Sequence, residues 1–544
     1  MRDDYFREQY NIAQSSKDAF GVKTAVSLFA AILILILTLI RLPALALGIV
    51  GIVLSLLVFF ICIQEFNDGI ISLFRLRPSN DTFTALAVLA SLINSIALIA
   101  APEPNGTLFS SIIFFSATIS MFMKYVFVKE LINNLNLIKE NKTYVVNTEE
   151  VKLTKRYINR VCMVNPVVNF PNVIDTTYAN DPSESKGRLF VPIAGGAAVL
   201  VSAVLGFIFG FNAFAISLAA LLEICASFTN EAAFVLPYIV MQRRLRKLGS
   251  VLLGYHSIES LKDIETLVVD DMDLFPMKKA SMERFRFKSK EYMAEAVEYT
   301  AALLIAAKSP FCAAFLSTLD YPLDKLPKID DWRYMKNYGI LAHIYGDEVM
   351  LGNRNMLLSY DITPLSQETE ASLVSTNRSI LYLAVNGTVS AYIIINYGID
   401  AKMKKAAEGV GDDFSIIVST NDCNITETMI QKRYDLQNSK IIVLDADEIK
   451  QINRAKEIME EEDTLPVMIS TKNAIGILSS VRLAKKLSKT IDLSILTRQI
   501  SIAFGLVLTT VALFIAPGTI NEWWIFLFNL IWTFPILILA LFKQ

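Results

Sequence analysis

The stretch TLVVDDMDLFP, residues 266–276, joins an apolar run to three aspartates within four positions. The β-branched residues before position 270 favour a buried strand, and Asp270, Asp271 and Asp273 follow where that strand ends. Acids at such a place either meet water or present the nucleophile of a phosphoryl transfer. The stretch therefore leaves two alternatives open, a solvated strand end and a catalytic site.

The composition of the chain indicates a membrane protein. Of its 544 residues, 53% are apolar and only 19% carry charge, which is typical of chains with several apolar spans. The formal net charge of −2 gives no general attraction to nucleic acid, so no nucleic-acid partner is expected. The five cysteines are scattered without a CxxC pair, which argues against a disulfide framework and a zinc cluster.

Eight apolar runs are long enough to cross a bilayer as helices. They pair into four hairpins with short turns, and the longer segments between hairpins hold nearly all the Lys and Arg. The positive-inside rule then places both termini and all the soluble mass in the cytoplasm. We therefore expect a multi-pass protein of the cell membrane, in contact with the lipid bilayer. The runs lie at about 24–40, 44–63, 84–101, 108–128, 191–209, 212–240, 498–516 and 522–542.

Two soluble inserts separate the hairpins, a small one at about 129–190 and a large one at about 242–497. The large insert alternates β-rich runs with amphipathic helical stretches, which predicts a parallel sheet covered by helices. The small insert begins with a charged helical stretch and continues in short extended pieces. The β-rich runs of the large insert read TLVVD, ILYLAVNG, SAYIIIN, FSIIVST and KIIVLD.

The spans and inserts, in this order, resemble those of a P-type ATPase. The closest resemblance is to the heavy-metal-transporting branch, which has two additional helices before the six that the family shares. The resemblance implies a polytopic α-helical membrane protein of eight spans with cytoplasmic α/β domains. These are a HAD-like phosphorylation domain and an inserted nucleotide-binding-like domain. The resemblance rests on five segments: RPSNDTFTALAVLAS, SVLLGYHSIESLKDIETLVVD, AALLIAAKSPFCAAFLSTL, YGDEVMLGNRNML and SIIVSTNDCNITETMI.

The same resemblance divides the chain into five parts. The large insert is expected to be a phosphorylation-like domain, interrupted at about 280–395 by the nucleotide-binding-like domain. The parts are 1–128 (N-terminal tail and first four transmembrane helices), 129–190 (a reduced actuator-like domain), 191–241 (transmembrane helices five and six), 242–497 (the phosphorylation-like domain) and 498–544 (transmembrane helices seven and eight).

The catalytic loops depart from the family pattern. The phosphorylation loop of the family reads Asp-Lys-Thr-Gly-Thr, whereas this chain has Asp-Asp-Met-Asp-Leu from Asp270 onward. Three carboxylates thus crowd the place where phosphate charge must be stabilised, and like charges there raise the barrier. Ser470 and Thr471 stand where the family's magnesium loop has glycine and aspartate. The register of the nucleophile stays open between Asp270 and Asp271.

Other residues match the family's working parts by position. Thr420 and Asp422 fall on the phosphate-holding strand, and Gly352 and Asn353 fall on the nucleotide-binding strand. Lys450 opens a helix after the run KIIVLDAD. It is either a substitute for the phosphate-pairing lysine or a solvated charge on that helix. If the protein is active, the resemblance implies ATP and Mg²⁺ as cofactors, and otherwise none.

Two further family signatures are altered. The His-Pro pair of the metal branch reads Ser309-Pro310 here. The actuator's Thr-Gly-Glu loop, which positions water on the aspartyl-phosphate, falls near Asn180, Asp181 and Pro182 without a match. That segment is therefore interpreted as a plain structural loop.

The run LLEICASFTNEAAFVLPYIV is the candidate transport site, because acids at membrane depth are costly and indicate function. Glu223 and Glu231 are eight residues apart, which places them about two turns apart on one face of a continuous helix. The alternative is a pair of buried acids satisfied by neighbouring helices. The last helix adds only Asn529 and Thr533. The candidate cation ligands are Glu223, Cys225, Asn230 and Glu231.

Three functions are consistent with these residues. The first is a pseudo-pump that has lost the phosphorylation cycle and acts as a binding or regulatory partner of another membrane protein. The second is an active ATP-driven cation transporter with unusual motifs. The third is a HAD-like phosphohydrolase, because Asp271 and Asp273 form the Asp-x-Asp pattern of the sibling phosphatases. The losses in every module favour the first.

Overall fold

The structure is a computed structural model with two parts, a bundle of long apolar helices and an α/β region with two sheets. Both parts agree with the fold class expected from the sequence. The described residues are 2–38, 43–102, 107–140, 144–153, 156–166, 182–319, 326–375, 377–411, 413–437, 439–461, 467–471, 474–515 and 520–542. The predicted actuator positions Asn180 and Asp181 lie outside them.

The helices follow the apolar runs and the amphipathic stretches of the sequence. They are α1 (Arg2–Thr38), α2 (Ala44–Ile61), α3 (Ile63–Phe74), α4 (Asn80–Ala100), α5 (Ser110–Glu140), α6 (Pro182–Phe209), α7 (Phe211–Cys225), α8 (Thr229–Lys247), α9 (Tyr255–Lys262), α10 (Asp271–Leu274), α11 (Met293–Ala306), α12 (Cys312–Leu319), α13 (Arg354–Ser359), α14 (Gln367–Leu373), α15 (Ala401–Gly411), α16 (Glu427–Tyr434), α17 (Ala446–Glu461), α18 (Ala474–Ile515) and α19 (Glu522–Phe542).

Seven helical segments within the described residues are long and apolar enough to cross a membrane. They coincide with the second to eighth spans expected from the sequence. The first expected span, at about 24–40, overlaps α1 but ends beyond the described residues, so it stays a prediction. The seven segments are Ala44–Ile61, Asn80–Ala100, Ser110–Lys139, Lys186–Phe209, Phe211–Lys247, Gly476–Ile515 and Glu522–Leu541.

Small residues let α2 and α4 approach closely. A Cβ atom added at Gly51 would come within 2.2 Å of the Ser95 hydroxyl, and one at Gly48 within 2.8 Å of the Ser95 carbonyl oxygen. Close backbone approach of this kind increases van der Waals contact between apolar helices, where burial from water contributes little. The two glycines therefore fix how this pair of helices packs.

The sixth expected span is interrupted. Helix α7 ends at Cys225 and α8 begins at Thr229, so the expectation of one continuous helical face for Glu223 and Glu231 is wrong. The Asn230 side-chain amide donates to the Cys225 carbonyl oxygen at 3.1 Å. This hydrogen bond satisfies a carbonyl that the broken helix leaves without its usual partner.

The larger sheet has seven strands within the described residues. Their order across the sheet is β12-β11-β4-β2-β1-β13-β3. The four strands from β12 to β2 run parallel, and the pairs from β2 to β3 are antiparallel. The strands are β1 (Tyr144–Leu153), β2 (Arg156–Pro166), β3 (Ser250–Leu252), β4 (Thr266–Asp270), β11 (Ser415–Ser419), β12 (Ile441–Val443) and β13 (Met468–Ser470).

The hairpin of the small insert, β1 and β2, lies inside this sheet. Strand β2 pairs with β4 over Val161↔Thr266 and Cys162↔Leu267, and β1 pairs with β13 over Tyr144↔Ser470. The backbone of the small insert is thus hydrogen-bonded on both sides to strands of the large insert. The five-part domain division made from the sequence stays a prediction.

The smaller sheet is antiparallel, with six strands in the part of the chain that the structure describes. Its order is β5-β10-β9-β8-β7-β6. The runs ILYLAVNG and SAYIIIN, expected in a parallel sheet, form the hairpin β9–β10 instead. The reason is local, because Asn386 and Gly387 both have positive φ and close a two-residue turn. The strands are β5 (Ala280–Phe287), β6 (Ile329–Met335), β7 (Gly339–Ile344), β8 (Asp347–Gly352), β9 (Arg378–Val385) and β10 (Thr388–Tyr397).

Candidate functional site

The acids of TLVVDDMDLFP lie at the carboxyl edge of the larger sheet. Strand β4 ends at Asp270, which is level with Ser419 at the end of β11. Because parallel strands end at one edge, the segments that follow them meet there. A cavity of about 530 Å³ opens at this edge, lined by residues of β4, β6, β11, α11 and α17. The edge therefore brings Asp270 and Asp271 together with Thr420.

Asp271 is the buried acid at this edge. It is 6% exposed, and the Thr420 hydroxyl donates to its Oδ2 atom at 2.6 Å. Burial raises the pKa of Asp271 to about 8, with smaller increases from Asp422 and Asp270, while the bond from Thr420 lowers it. Asp271 therefore holds a proton at neutral pH for most of the time. Of the two register choices, Asp271 is the one that Thr420 contacts.

Asp422 belongs to a buried hydrogen-bond network beside Asp271. Its Oδ2 atom accepts from the Tyr397 hydroxyl at 2.7 Å and from the Ser309 hydroxyl at 2.9 Å. Its Oδ1 atom accepts from the backbone N–H of Asn424 at 3.0 Å. Burial raises the pKa of Asp422, and these three bonds oppose that increase. Ser309 holds the position of the family's His-Pro pair, and sequence reasoning gave no signal for Tyr397.

Asp273 has a structural task at the start of α10. The backbone N–H of Asp270 donates to the Asp273 carboxylate, which is the reciprocal half of a capping box. Burial raises the pKa of Asp273 to about 6, and Asp270 adds to this increase. The third acid of the stretch is therefore occupied in closing the turn.

Among the described residues, the lysine that pairs with Asp270 is Lys456, six residues along α17 from Lys450. Its Nζ atom lies 3.7 Å from the Asp270 Oδ1 atom. The Lys450 side chain lines the same cavity, but it is 80% exposed and its Nζ atom lies 3.9 Å from Asp447. Sequence reasoning selected Lys450 from its place at the helix start and missed Lys456, because that choice depends on how α17 sits over the sheet.

Gly352 and Asn353 form a tight strand-to-helix turn. The Asn353 side chain accepts from the Met356 N–H at 3.2 Å and donates to the Asn337 carbonyl at 2.7 Å. A Cβ atom at Gly352 would come within 2.5 Å of the Tyr338 carbonyl oxygen. Both residues are thus required by the turn itself, and nucleotide binding at this turn stays a prediction.

The residues at the magnesium-loop position lie away from the aspartates. The Ser250 hydroxyl donates to Ser470 at 2.9 Å, and the Thr471 hydroxyl donates to the Gly249 carbonyl at 2.9 Å. Strands β2 and β1 stand between β4 and β13. At the usual spacing of neighbouring strands, β13 is about 14 Å from β4.

The candidate cation ligands divide between two places. Glu223 is fully buried in the helix bundle, and neither of its carboxylate oxygens has a hydrogen-bond partner among the described residues. Asn230 and Cys225 lie at the nearby helix break. Glu231 instead lines a second cavity, where it interacts with Lys124. Within the part of the chain that the structure describes, no three His, Cys, Asp or Glu side chains form a metal-binding group.

Two further polar side chains of the last helices are buried near this break. The Thr509 hydroxyl and both polar atoms of Asn529 have no hydrogen-bond partner in the described part of the chain. Helices α7, α18 and α19 approach one another here, because a Cβ atom added at Gly505 would come within 2.7 Å of both Ile224 and Phe528. Amide, hydroxyl and carboxylate oxygens are the ligands of hard cations, so these helices supply oxygen donors that sequence reasoning found only in part.

Comparisons with known proteins return structural likeness alone. No family model matches the chain, and no curated protein matches it. One structure of a zinc-transporting PIB-type ATPase is similar, with 13% identity, a TM-score of 0.48 and coverage of 97% of this chain and 99% of that chain. A second structure of a zinc-transporting PIB-type ATPase, in a different state, gives 12% identity, a TM-score of 0.44 and coverage of 92% and 100%. The catalytic domain of a CPx-ATPase, CopB-B, gives 13% identity, a TM-score of 0.25 and coverage of 40% of this chain and 76% of that chain. Identity at this level leaves function to be argued from the chain's own residues.

Proposed function

We propose that this chain is a P-type ATPase-like membrane protein, related to heavy-metal cation pumps, that no longer runs the phosphorylation cycle. It acts instead as a binding or regulatory partner of a membrane protein, in the cell membrane with both termini in the cytoplasm. In this proposal the acids of the stretch 266–276 are inherited from a catalytic site.

The order of strands in the larger sheet carries this proposal. A phosphoryl-transfer site needs its magnesium ligands within bonding distance of the aspartate and the phosphate. Here two strands of the small insert separate β4 from β13. The same hairpin is the segment that would have to move freely as an actuator. A segment whose backbone is paired on both sides cannot rotate without breaking the sheet.

The charges at the carboxyl edge of the larger sheet also support the proposed loss of the phosphorylation cycle. A transferred phosphoryl group carries negative charge that cations must offset. Burial raises the pKa of Asp271, and the neighbouring Asp422 and Asp270 raise it further. A phosphate at Asp270 would have the ammonium group of Lys456 close by. The family's loop instead supplies a lysine, threonines and a metal ion.

The test is phosphorylation of the purified protein with labelled ATP, Mg²⁺ and a panel of metal ions. We expect no acid-stable phosphoprotein in the wild type or in the variants Asp270→Asn and Asp271→Asn. A label present in the wild type and lost in either variant would sink the proposal and would also fix the register of the nucleophile.

Active cation transport is the second candidate, with ATP and Mg²⁺ as cofactors, because Glu223 is a buried acid without a hydrogen-bond partner among the described residues. Such a group in a bilayer suits a translocated cation. Metal-stimulated ATP hydrolysis that disappears in Glu223→Gln, with Glu368→Gln on exposed α14 as control, would support transport. The phosphohydrolase alternative predicts instead a chelator-sensitive phosphatase activity that is lost in Asp273→Asn.

A further inference from the structure

A short turn between two helices of the bundle exposes large apolar side chains. Helix α3 follows the apolar segment α2 and ends at Phe74, and the next apolar segment, α4, begins at Asn80. Phe74 is 82% exposed and Leu76 is 84% exposed. Arg75 and Arg77 alternate with them and are also exposed. Residues 74–77, which we name the α3–α4 turn, therefore present both apolar surface and positive charge.

The backbone of the α3–α4 turn holds Leu76 in a conformation that leucine rarely adopts. Its φ angle is 55°, in the left-handed region where helix ends usually have glycine. Two hydrogen bonds fix this conformation. The Leu76 N–H donates to the Leu73 carbonyl at 3.1 Å, and the Arg77 N–H donates to the Ser72 carbonyl at 2.9 Å. Strain of this kind persists where the surrounding structure requires it, and it is concentrated at functional positions.

The packing of α3 on the start of α4 determines which side chains of the turn are exposed. A Cβ atom added at Gly69 would come within 2.4 Å of the Asp81 carbonyl oxygen, so the two backbones are in contact. The Thr82 hydroxyl donates to the Gly69 carbonyl at 3.1 Å and lies 2.9 Å from the Ser72 hydroxyl. The polar side of the end of α3 is thus bonded to α4, and the apolar side faces outward.

The exposed residues at the end of α3 join the turn in one apolar surface. Ile71 and Phe74 are exposed on the helix, and Leu76 follows them. Apolar side chains gathered outside a fold mark a contact with a membrane or another protein. Because the turn directly joins two apolar segments of membrane length, the bilayer surface is the contact that lies next to it. The exposed polar residues of α3 precede this surface: Gln64, Asn67 and Asp68.

A second pair of one basic and one apolar residue lies at the same level of the bundle. On α18, the Arg498 Nη1 atom donates to Asn80 at 2.7 Å, and the next side chain donates to the Lys186 carbonyl at 3.2 Å. The starts of α4 and α6 therefore lie level with each other. Arg188 and Leu189 follow on α6, and both are exposed. Arginines at the ends of apolar helices extend their charged groups to the membrane–water interface.

Anionic phospholipid is the partner whose chemistry fits the α3–α4 turn. A guanidinium group donates two parallel hydrogen bonds to a phosphate, and the acyl region beneath the phosphate accepts apolar side chains. Among the described residues, neither Arg75 nor Arg77 has a carboxylate partner. A zwitterionic headgroup carries its own ammonium group beside the phosphate, so the two arginines favour a lipid with net negative charge.

We propose that the α3–α4 turn inserts Phe74 and Leu76 into the bilayer surface and that Arg75 and Arg77 bind the phosphate of an anionic phospholipid there. This inference goes beyond the loss of the phosphorylation cycle and does not depend on it, because lipid binding needs neither ATP nor an aspartyl-phosphate. It assigns a lipid class to one edge of the helix bundle.

The test is native mass spectrometry of the purified full chain in detergent, titrated with dioleoylphosphatidylglycerol and, in parallel, with dioleoylphosphatidylcholine. We expect the first phosphatidylglycerol to bind more tightly than the first phosphatidylcholine. The double variant Arg75→Gln/Arg77→Gln should raise the Kd for phosphatidylglycerol about 30-fold, or about 5-fold for each arginine. Arg284→Gln/Arg286→Gln is the matched control, because these two exposed arginines of β5 have the same spacing. It should bind like the wild type.

Leu76→Gly separates lipid binding from folding. Glycine adopts the positive φ of this position without strain, so the thermal unfolding midpoint in detergent should stay close to that of the wild type. Phosphatidylglycerol should nevertheless bind several-fold more weakly, because the inserted apolar side chain is lost.

Three results would each overturn the proposal. In the first, both Leu76→Gly and the Arg75/Arg77 double variant bind phosphatidylglycerol like the wild type. In the second, the Arg284/Arg286 control loses as much affinity as the Arg75/Arg77 variant. In the third, the two lipids bind equally well, which would leave the turn as a surface for another protein. The phosphorylation test is separate, so either proposal can fail without the other.

Discussion

The sheet edge and the helix bundle each bury acids, but they treat them differently. At the edge, Asp422 accepts three hydrogen bonds from two hydroxyls and a backbone N–H. In the bundle, Glu223 is as deeply buried and its oxygens accept none from the described residues. A carboxyl with its partners in place stabilises the fold around it, whereas a carboxyl without them costs stability and keeps its capacity to bind. Asp422 is therefore satisfied within the fold, whereas Glu223 has no hydrogen-bond partner among the described residues.

The largest effect should come from the proton that Asp271 holds. Asp271 has its ordinary pKa of 3.8 in the unfolded chain and a pKa of about 8 in the folded chain. Between these two pH values, only the unfolded state releases the proton. Stability should therefore fall as pH rises from about 4 to about 8.

Thermal unfolding midpoints across this pH range test the assignment. The fall should be much smaller in Asp271→Asn. Part of the fall in stability with rising pH should remain, since burial also raises the pKa of Asp422. Equal pH profiles for the wild type and the variant would contradict the burial of this acid.

Removing the Asp422 carboxyl should destabilise the protein by about 3 kcal/mol, because Asp422→Ala leaves the buried Tyr397 and Ser309 hydroxyls without their acceptor. Denaturant unfolding of the purified chain measures the loss. Glu368→Gln, a change of an exposed acid on α14, should have no measurable effect. A loss below about 1 kcal/mol for Asp422→Ala would mean that the network is not structural.

Removing the buried acid of the helix bundle should raise stability, whereas removing Asp422 lowers it. Glu223→Leu is expected to raise stability by about 1–2 kcal/mol, since it removes a buried carboxyl without a partner among the described residues and keeps a similar volume. The same denaturant experiment in detergent measures the change. If the variant is less stable than the wild type, the Glu223 carboxylate has a stabilising partner, and the contrast between the two regions fails.

The smallest effect concerns the two lysines of α17. Lys456→Ala removes an ion pair with an Asp270 side chain that is 54% exposed, so a loss of at most about 0.5–1 kcal/mol is expected. Lys450→Ala should change stability less, because that side chain is 80% exposed. Unfolding of the two variants side by side tests the order. A larger loss for Lys450→Ala would contradict this order.

Several features of the site follow from local sequence. The strand before Asp270 and the nearby placement of Thr420 could be predicted, because parallel strands end at one edge whatever lies around them. The sequence could not show which of Lys450 and Lys456 lies near Asp270. Both are on α17, and only the packing of this helix over the sheet decides between them. The continuous helix through Glu223 and Glu231 was expected from the apolar run, whereas the structure ends α7 at Cys225, just before the capping-type residues Ser227 and Thr229.

The sequence by itself determined the elements that depend on short-range chemistry. These are the seven apolar segments confirmed as long enough to span a membrane, the β4 strand that ends in acids, and the Asn386-Gly387 turn that a parallel sheet could not accommodate. The tertiary structure alone decided which strands are neighbours and which acids have partners. The physical reason is that backbone pairing and burial join segments more than a hundred residues apart, as β2 joins β4, and no local pattern records such a choice.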